Sequence, residues 1–348
     1  MASHRRPASG LDRGTRGTSL TVLTAAAAAT AAAALTGVPA HAAPEEPGAG
    51  ARARVDRLFE EAEQATERFN EAGEHAAKLR KEIRRTQDAV ARGQDRINTM
   101  RGLLGTYAGA QYRSGGGVDP AVELLLSDDP DDYLEKAAAL DRLSLRQAAT
   151  LTELREAQRR LGQERREASR KLGELEAVRA DVARHKRSVT AKLAAARRIL
   201  ETMPSDERAA FERASRSGGR AEAMPDLSGV AASSGRAAAA VLAARAAVGR
   251  PYVWGATGPS AFDCSGLMVW SYRQAGVSLP RTSQAQRSAG RRVPLSEAQP
   301  GDLVTYRSDA SHVAMYVGNG QVVHAPYPGA PVRYDPVGMM PVSAVTRP

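Results

Sequence analysis

An α+β domain preceded by a long α-helical coiled coil is the architecture the sequence predicts, and three observations predict it. From Val55, core positions recur at steps of three and four residues for about eight repeats, the spacing of a coiled-coil seam. Past Arg236 the texture changes to short alternating stretches punctuated by glycine and proline, as strands and turns require. Aromatic residues are only 4% of the chain although hydrophobic residues reach 42%, so much of it is not a compact globular core. A length of 348 residues suits about two domains. With 25% charged residues, wholesale disorder is excluded.

The chain opens with Arg5, Arg6, Arg13 and Arg16, then an Ala-dominated apolar stretch over residues 20–38, then Pro39 and Ala40-His41-Ala42. This is the layout of a secretory signal with an A-x-A cleavage site. The low hydrophobicity of the run weighs against an uncleaved anchor, and Arg5-Arg6 lacks the apolar residues that follow a twin-arginine signal. The expectation is a signal peptide over residues 1–42 and a mature protein that begins near Ala43, outside the cytoplasm.

The next segment, residues 43–202, is expected to be the coiled coil. Its first seam runs through Val55, Leu58, Ala62, Ala65, Phe69, Ala72, Ala76, Leu79, Ile83, Thr86, Val90, Gly93, Ile97, Met100, Leu104, Tyr107 and Gln111. Many seam positions are alanine, which brings helices close but buries little area. Ser114-Gly115-Gly116-Gly117 breaks the helix, and Asp128-Asp129-Pro130 starts a second one after a short apolar piece. The second seam reads Leu154, Leu161, Ala168, Leu172, Leu175, Val182, Val189, Leu193, Ala196 and Leu200. Two long helices around one break fit an antiparallel hairpin or, alternatively, a parallel dimer, and either a spacer or a docking arm. Residues 203–235, rich in Gly, Ser, Pro and Ala, read as a flexible linker with room for a short helix near Asp206.

Chemistry is concentrated in residues 236–348. Asp263-Cys264-Ser265-Gly266-Leu267 begins a helical pattern, with Asp263 as N-cap. Backbone N–H groups at a helix start stabilise a thiolate, so the position predicts a cysteine of lowered pKa. Cys264 is the only cysteine, which excludes an intramolecular disulfide framework and any multi-cysteine metal site. His312 and His324 lie on a predicted hairpin around Gly318-Asn319-Gly320. A thiol nucleophile needs a base, and that imidazole needs a group that fixes its tautomer. The two histidines fill those roles only if they share a sheet face. A strict two-residue turn at Asn319-Gly320 places them on opposite faces; a longer turn or a bulge brings them together. The other four histidines lie in the leader and coil without metal-ligand spacing, and neither a metal nor another cofactor is expected.

These residues, with Tyr252-Val253-Trp254-Gly255, Pro280-Arg281-Thr282-Ser283, Pro300-Gly301-Asp302-Leu303-Val304, His312-Val313-Ala314-Met315-Tyr316-Val317-Gly318 and Val323-His324-Ala325, resemble the successive motifs of the NlpC-type (NlpC and p-sixty) cell-wall cysteine endopeptidases. Ala256 and Ala314 stand where glycine is common in that family. The resemblance implies a papain-like α+β fold with the cysteine helix on an antiparallel sheet. It implies hydrolysis of peptidoglycan stem peptides, usually between D-glutamate and diaminopimelate, at the cell wall or cell surface. Carried over by position, Cys264 resembles the nucleophile, His312 the base and His324 the orienting third residue. Tyr252, Asp263 and Ser265 resemble groups that line the substrate side. The helical half is similar in layout to the arms of division-associated relatives, which implies a membrane complex of the FtsEX type as a partner. A related amidase or acyltransferase of the same fold, and a non-enzymatic wall-binding scaffold, are the competing classes.

The formal net charge of +10 does not point to nucleic acid. The leader carries 4 basic and 1 acidic residue, residues 43–235 carry 34 and 33, and residues 236–348 carry 11 and 5. The long helices are therefore almost neutral, and the excess lies on the C-terminal domain, where it suits a substrate with carboxylates.

Overall fold

The computed structural model describes residues 49–113, 122, 129–217 and 232–348. The expected signal segment, the glycine breaker with the apolar piece after it, and the glycine-rich second half of the expected linker lie outside the described residues.

Two long helices, α1 (Ala49–Arg113) and α2 (Pro130–Thr202), pack side by side. Polar pairs between them give their direction. Glu61 meets Lys192, His75 meets Glu174 at 3.2 Å, Glu82 meets Lys171 at 3.5 Å and Arg96 meets Glu153 at 3.6 Å. One number climbs as the other falls, so the helices are antiparallel. Val55, Ala62, Ala65, Ala76, Leu79, Ile83, Ile97 and Met100 are buried along α1, in the expected register. On α2, Leu161, Leu175, Val189, Leu193 and Ala196 are buried as expected, but Leu172 is exposed and Val178 is buried. Lys171 is the more sheltered neighbour of Leu172, its side chain 17% exposed and its ammonium 2.9 Å from Glu167 and 3.5 Å from Glu82. Among the described residues no helix is long and apolar enough to cross a membrane.

Helix α3 (Ser205–Ser217) occupies the first half of the stretch read as linker. Asp206 and Glu207 in its first turn complement the helix dipole. Its Phe211 is buried, 6.5 Å ring to ring from Phe59 of α1.

The C-terminal region is α+β. Helix α4 (Gly235–Ala246) is capped by Ser234, whose hydroxyl accepts from the Ala237 N–H at 3.1 Å. Helix α5 (Cys264–Gln274) and the short α6 (Ser283–Gln286) follow. Six strands form one antiparallel sheet: β1 (Arg291–Val293), β2 (Leu303–Tyr306), β3 (His312–Gly318), β4 (Gln321–His324), β5 (Arg333–Pro336) and β6 (Val342–Arg347). Their order is β1-β6-β2-β3-β4-β5. Leu267, Met268 and Tyr272 of α5 and Ala240, Val241 and Ala244 of α4 close one core with Val313, Met315, Val317 and Val323. This is the cysteine helix on an antiparallel sheet of a papain-like domain, preceded by long helices.

The β3–β4 hairpin resolves the question of facing. Asn319 and Gly320 both have positive φ, 53° and 69°, as a tight two-residue turn requires. Gly318 pairs with Gln321, but the register shifts between Tyr316 and Gly318, so that Tyr316 pairs with Val322 and Met315 with Val323. The extra residue is a bulge. It moves the pairing by one position and puts His312 and His324 on the same face.

Candidate active site

Cys264 is the first residue of α5. Asp263 caps that helix by accepting from the Gly266 N–H at 2.6 Å. Gly266 is required for space: a Cβ there would stand 2.1 Å from the Ala256 carbonyl oxygen and 2.7 Å from the cap oxygen. Asp263 is held from several sides. Its Oδ2 accepts from the Gly255 N–H at 2.9 Å, and Arg281 clasps it with two N–H donors, at 3.0 and 2.5 Å. Arg281 also donates to the Ser265 hydroxyl at 2.8 Å. Such a fork fixes the geometry of the cap as well as its charge.

His312 opens β3 and His324 closes β4. The His312 Nε2 and His324 Nδ1 atoms lie 2.8 Å apart, and His324 Nε2 lies 2.7 Å from Asp335 Oδ2 on β5. The structure thus brings together the three expected catalytic residues, Cys264, His312 and His324. One potential ligand atom from each of Cys264, His312 and Glu63 falls within 4.8 Å of the others.

Glu63 comes from α1, about 200 residues upstream of Cys264. Its Oε1 lies 2.8 Å from His312 Nδ1, and its Oε2 accepts from Arg307 at 2.7 Å. One turn later, Glu67 Oε1 accepts from the Ser265 hydroxyl at 2.7 Å and lies 3.7 Å from the Cys264 sulfur. Glu67 Oε2 accepts from the Ser283 backbone N–H at 2.8 Å. Asn70 donates to Asp263 at 3.2 Å. Aromatic pairs bracket this carboxylate face. Phe59 stacks on Tyr327 at 4.9 Å, and Phe69 meets Trp254 edge to face at 5.2 Å. Cys264 is left 1% exposed and His312 fully buried. A cavity of about 530 Å³ remains beside the covered centre, touching Glu63, Arg307, His324, Tyr327, Arg333 and Asp335.

The covered state sets the protonation of the centre. Burial, reinforced by the carboxylates of Glu67, Glu63 and Asp263, pushes the Cys264 thiol well above its ordinary pKa. This reverses the expectation of a lowered value. The helix start is present, but removal from water and three nearby carboxylates oppose the thiolate more strongly. Burial and Asp263 push Glu67 up to about 7. Burial also works against ionisation of Glu63, yet His312 and Arg307 outweigh it and hold the carboxyl below its ordinary value. Burial lowers His324 to about 4 despite its bond to Asp335, so this imidazole is neutral at physiological pH. His312 therefore faces an acceptor on each side, the Glu63 carboxylate at Nδ1 and the His324 lone pair at Nε2. The burial and the carboxylates thus favour the protonated thiol at Cys264.

The residues expected to line the substrate side are present around the thiol. Tyr252 is buried, and its hydroxyl is pushed well above its ordinary pKa by burial, then by the Cys264 thiol and the carboxylates of Glu63, Asp263 and Glu67. Asp263 is occupied by the cap and by Arg281, and Ser265 by Glu67. Sequence reasoning missed Glu63, Glu67, Asn70, Arg307 and Asp335. The available signal was aromatic. The chain has four phenylalanines, and two of them, Phe59 and Phe69, flank Glu63 and Glu67 on a helix otherwise nearly free of large apolar rings.

Comparison with known proteins bears on the C-terminal part. Residues 249–344 match the family model described as the NlpC/P60 family. A probable endopeptidase of Mycobacterium tuberculosis is 50% identical over 99 residues, covering 28% of this chain and 26% of the relative. A probable endopeptidase of Corynebacterium glutamicum is 50% identical over 117 residues, covering 34% of this chain and 55% of the relative. Among solved structures, the chain is similar to the NlpC/p60 domain of the peptidoglycan hydrolase SagA, at 37% identity over 32% of this chain and 98% of that one, with a TM-score of 0.31. The chain thus spans from about a quarter to about half of the length of these curated relatives.

Proposed function

From the premise that residues 249–344 form an NlpC/P60-family domain, we propose that this protein is an exported peptidoglycan hydrolase. It cuts stem peptides at the D-glutamyl–diaminopimelate bond through a cysteine thioester, and its helical arm regulates it. The observation that carries the reading is the Cys264–His312–His324 constellation, with the cysteine at a capped helix start and the two imidazoles in a 2.8 Å hydrogen bond. The covering of that constellation by Glu63 and Glu67 supports the regulatory half.

Once the arm has left, the Glu63 acceptor is gone from His312 Nδ1, and the three carboxylates around the thiol fall to one, Asp263, itself paired with Arg281. His312 then takes the Cys264 proton. The thiolate attacks the scissile carbonyl, and a thioester forms as the amine leaves with a proton from His312. His312 next activates water, which releases the acid product and restores the thiol. The oxyanion is held by the Cys264 backbone N–H at the start of α5, with the Tyr252 hydroxyl as the second donor. Tyr252, Asp263 and Ser265 are the proposed substrate-side residues, and the Ser265 hydroxyl is freed when Glu67 withdraws. A membrane division complex of the FtsEX type, which the resemblance implies, is the proposed partner of the arm. The cell wall is the proposed site of action.

The test is digestion of purified sacculi with the full chain, with a full chain carrying Glu63→Ala and Glu67→Ala, and with the same chain also carrying Cys264→Ala. New free amino groups on diaminopimelate, made by the second protein and not by the third, are the expected result. Cleavage of the sugar–peptide amide would move the protein to the amidase class. Wall binding by a folded double variant without any cleavage would make it a scaffold.

A further inference from the structure

The hydrogen bonding does not end at His324 but continues to Asp335. The register places Val322 opposite Asp335 and His324 opposite Arg333, so Asp335 and His324 are diagonal neighbours on one sheet face. His312 and His324 are diagonal neighbours in the same sense across the bulged hairpin. A chain of ring and carboxylate groups therefore crosses β3, β4 and β5 on one face, with links of 2.8 and 2.7 Å.

The direction of every proton in that chain is fixed at its far end. Asp335 is ionised: burial works against it, but bonds from His324 and Arg333 hold its carboxyl below the ordinary value. A carboxylate only accepts, so His324 must present Nε2–H to it. A neutral imidazole has one N–H, which leaves a lone pair on His324 Nδ1. That lone pair must face Nε2–H of His312, and once Glu63 has left His312 Nδ1 a neutral His312 has its own lone pair on that atom. Arg333 donates to the same Asp335 oxygen at 2.8 Å and to the Ser215 carbonyl at 3.0 Å, which anchors the carboxylate.

We propose that Asp335 is a positioning residue of the catalytic centre: through His324 it sets the tautomer in which His312 has its basic nitrogen toward Cys264. It touches neither the substrate nor the reacting atoms. The inference rests on the hydrolase reading for its consequence, but not for its test.

The experiment is nitrogen NMR of the histidine rings in the full chain opened by Glu63→Ala and Glu67→Ala, where no carboxylate holds His312 Nδ1, with activity read separately. In this opened chain, with Asp335 intact, His324 is expected entirely as the Nε2–H tautomer. In Asp335→Ala the two tautomers of His324 should mix. In Asp335→Asn, whose carbonyl oxygen still accepts, the Nε2–H form should be retained. If His324 stays purely Nε2–H in Asp335→Ala, the proposal is overturned. Should that variant fold poorly because Arg333 loses its partner, Arg333→Gln with Asp335→Ala removes both members of the pair, and the same two outcomes apply. On sacculi, in the full chain opened by Glu63→Ala and Glu67→Ala, Asp335→Ala should lower kcat at least tenfold with KM unchanged, and Asp335→Asn should recover most of the loss. An equal kcat in the alanine variant would also overturn it. If the opened parent itself cuts nothing, the hydrolase reading fails, while the ring spectra still decide the role of Asp335.

Discussion

Glu63 of α1 and His312 of β3 are joined by a 2.8 Å hydrogen bond, although 249 positions separate them in the chain. The carboxylate sits on the imidazole nitrogen that would otherwise face the thiol, and its neighbour Glu67 takes the hydroxyl beside the nucleophile. On the proposed reading this occlusion is chemical as well as steric, because the contacts that exclude substrate also hold the imidazole and the hydroxyl beside the thiol.

Loss of these carboxylates should therefore open the site. Removing one partner of a buried ion pair costs about 3–5 kcal/mol, and here that cost falls on arm docking. Glu63→Ala with Glu67→Ala should raise the rate of Cys264 alkylation by iodoacetamide by ~100- to 3,000-fold, since about 1.4 kcal/mol is a factor of ten. An unchanged rate in a folded variant would show that the two carboxylates do not hold the arm.

Docking should depend on pH through Glu67. Its carboxyl is pushed up to about 7 with the arm in place, from an ordinary 4.5, so docking takes up a proton between those values. The Glu67 contribution is full below its ordinary value and is lost as pH rises through about 7. Glu63 has the opposite sign: its contribution is present above its ordinary value and fades as pH falls through its lowered one. The arm should be tightest at mildly acid pH and loosen above neutrality. Hydrogen exchange over residues 59–70, corrected for its intrinsic pH dependence, should accelerate above neutrality in the wild type and much less in Glu67→Gln. The same acceleration in both proteins would remove Glu67 as the cause.

Cys264→Ala should abolish hydrolysis, by about a thousandfold or more, as loss of a nucleophile does, while leaving the arm docked, because the thiol makes only one long contact to it. His312→Ala should abolish hydrolysis and also loosen the arm, since Glu63 then loses a buried partner. Comparing residue 59–70 exchange in the two variants checks this; equal protection in both would contradict the pairing of Glu63 with His312.

Gly266→Ala should destabilise the catalytic region. The added Cβ would meet a backbone carbonyl at 2.1 Å, which cannot be relieved by a rotamer change. Overpacking of this kind costs about 1–3 kcal/mol and occasionally more, so the melting temperature should fall by several degrees. A melting curve that matches the wild type would show that the start of α5 yields more easily than its packing suggests.

Much of this was legible from local pattern. The α1 seam could be followed from Val55 to Met100 because its heptad spacing survives every alanine there, though Tyr107 farther on is exposed, and Asp263-Cys264 could be read as a capped helix start because capping is a local event. The hairpin was legible only up to a choice: the pairing of two histidines demanded a bulge, and the bulge at Val317 is what the fold supplies. Leu172 was misread because a seam of mixed leucine and lysine does not reveal which stem lies inward. Glu63 and Glu67 were not legible because a glutamate on a long helix is almost always solvated, and burial here comes from packing against residues 197 to 249 positions away in sequence. The phenylalanines around them were the nearest thing to a marker. Asp335 could not be assigned without the β4–β5 register.

Because Glu63 and Cys264 belong to one chain, an inhibitor of the proposed kind is always present in the same ratio as the site it covers. A tethered group acts at an effective concentration that can reach the millimolar range, whatever the concentration of the protein itself. Dilution after export would not turn such an enzyme on, and a higher copy number would not turn it off. Activity per molecule would be set by events that pull or cut the tether, one molecule at a time.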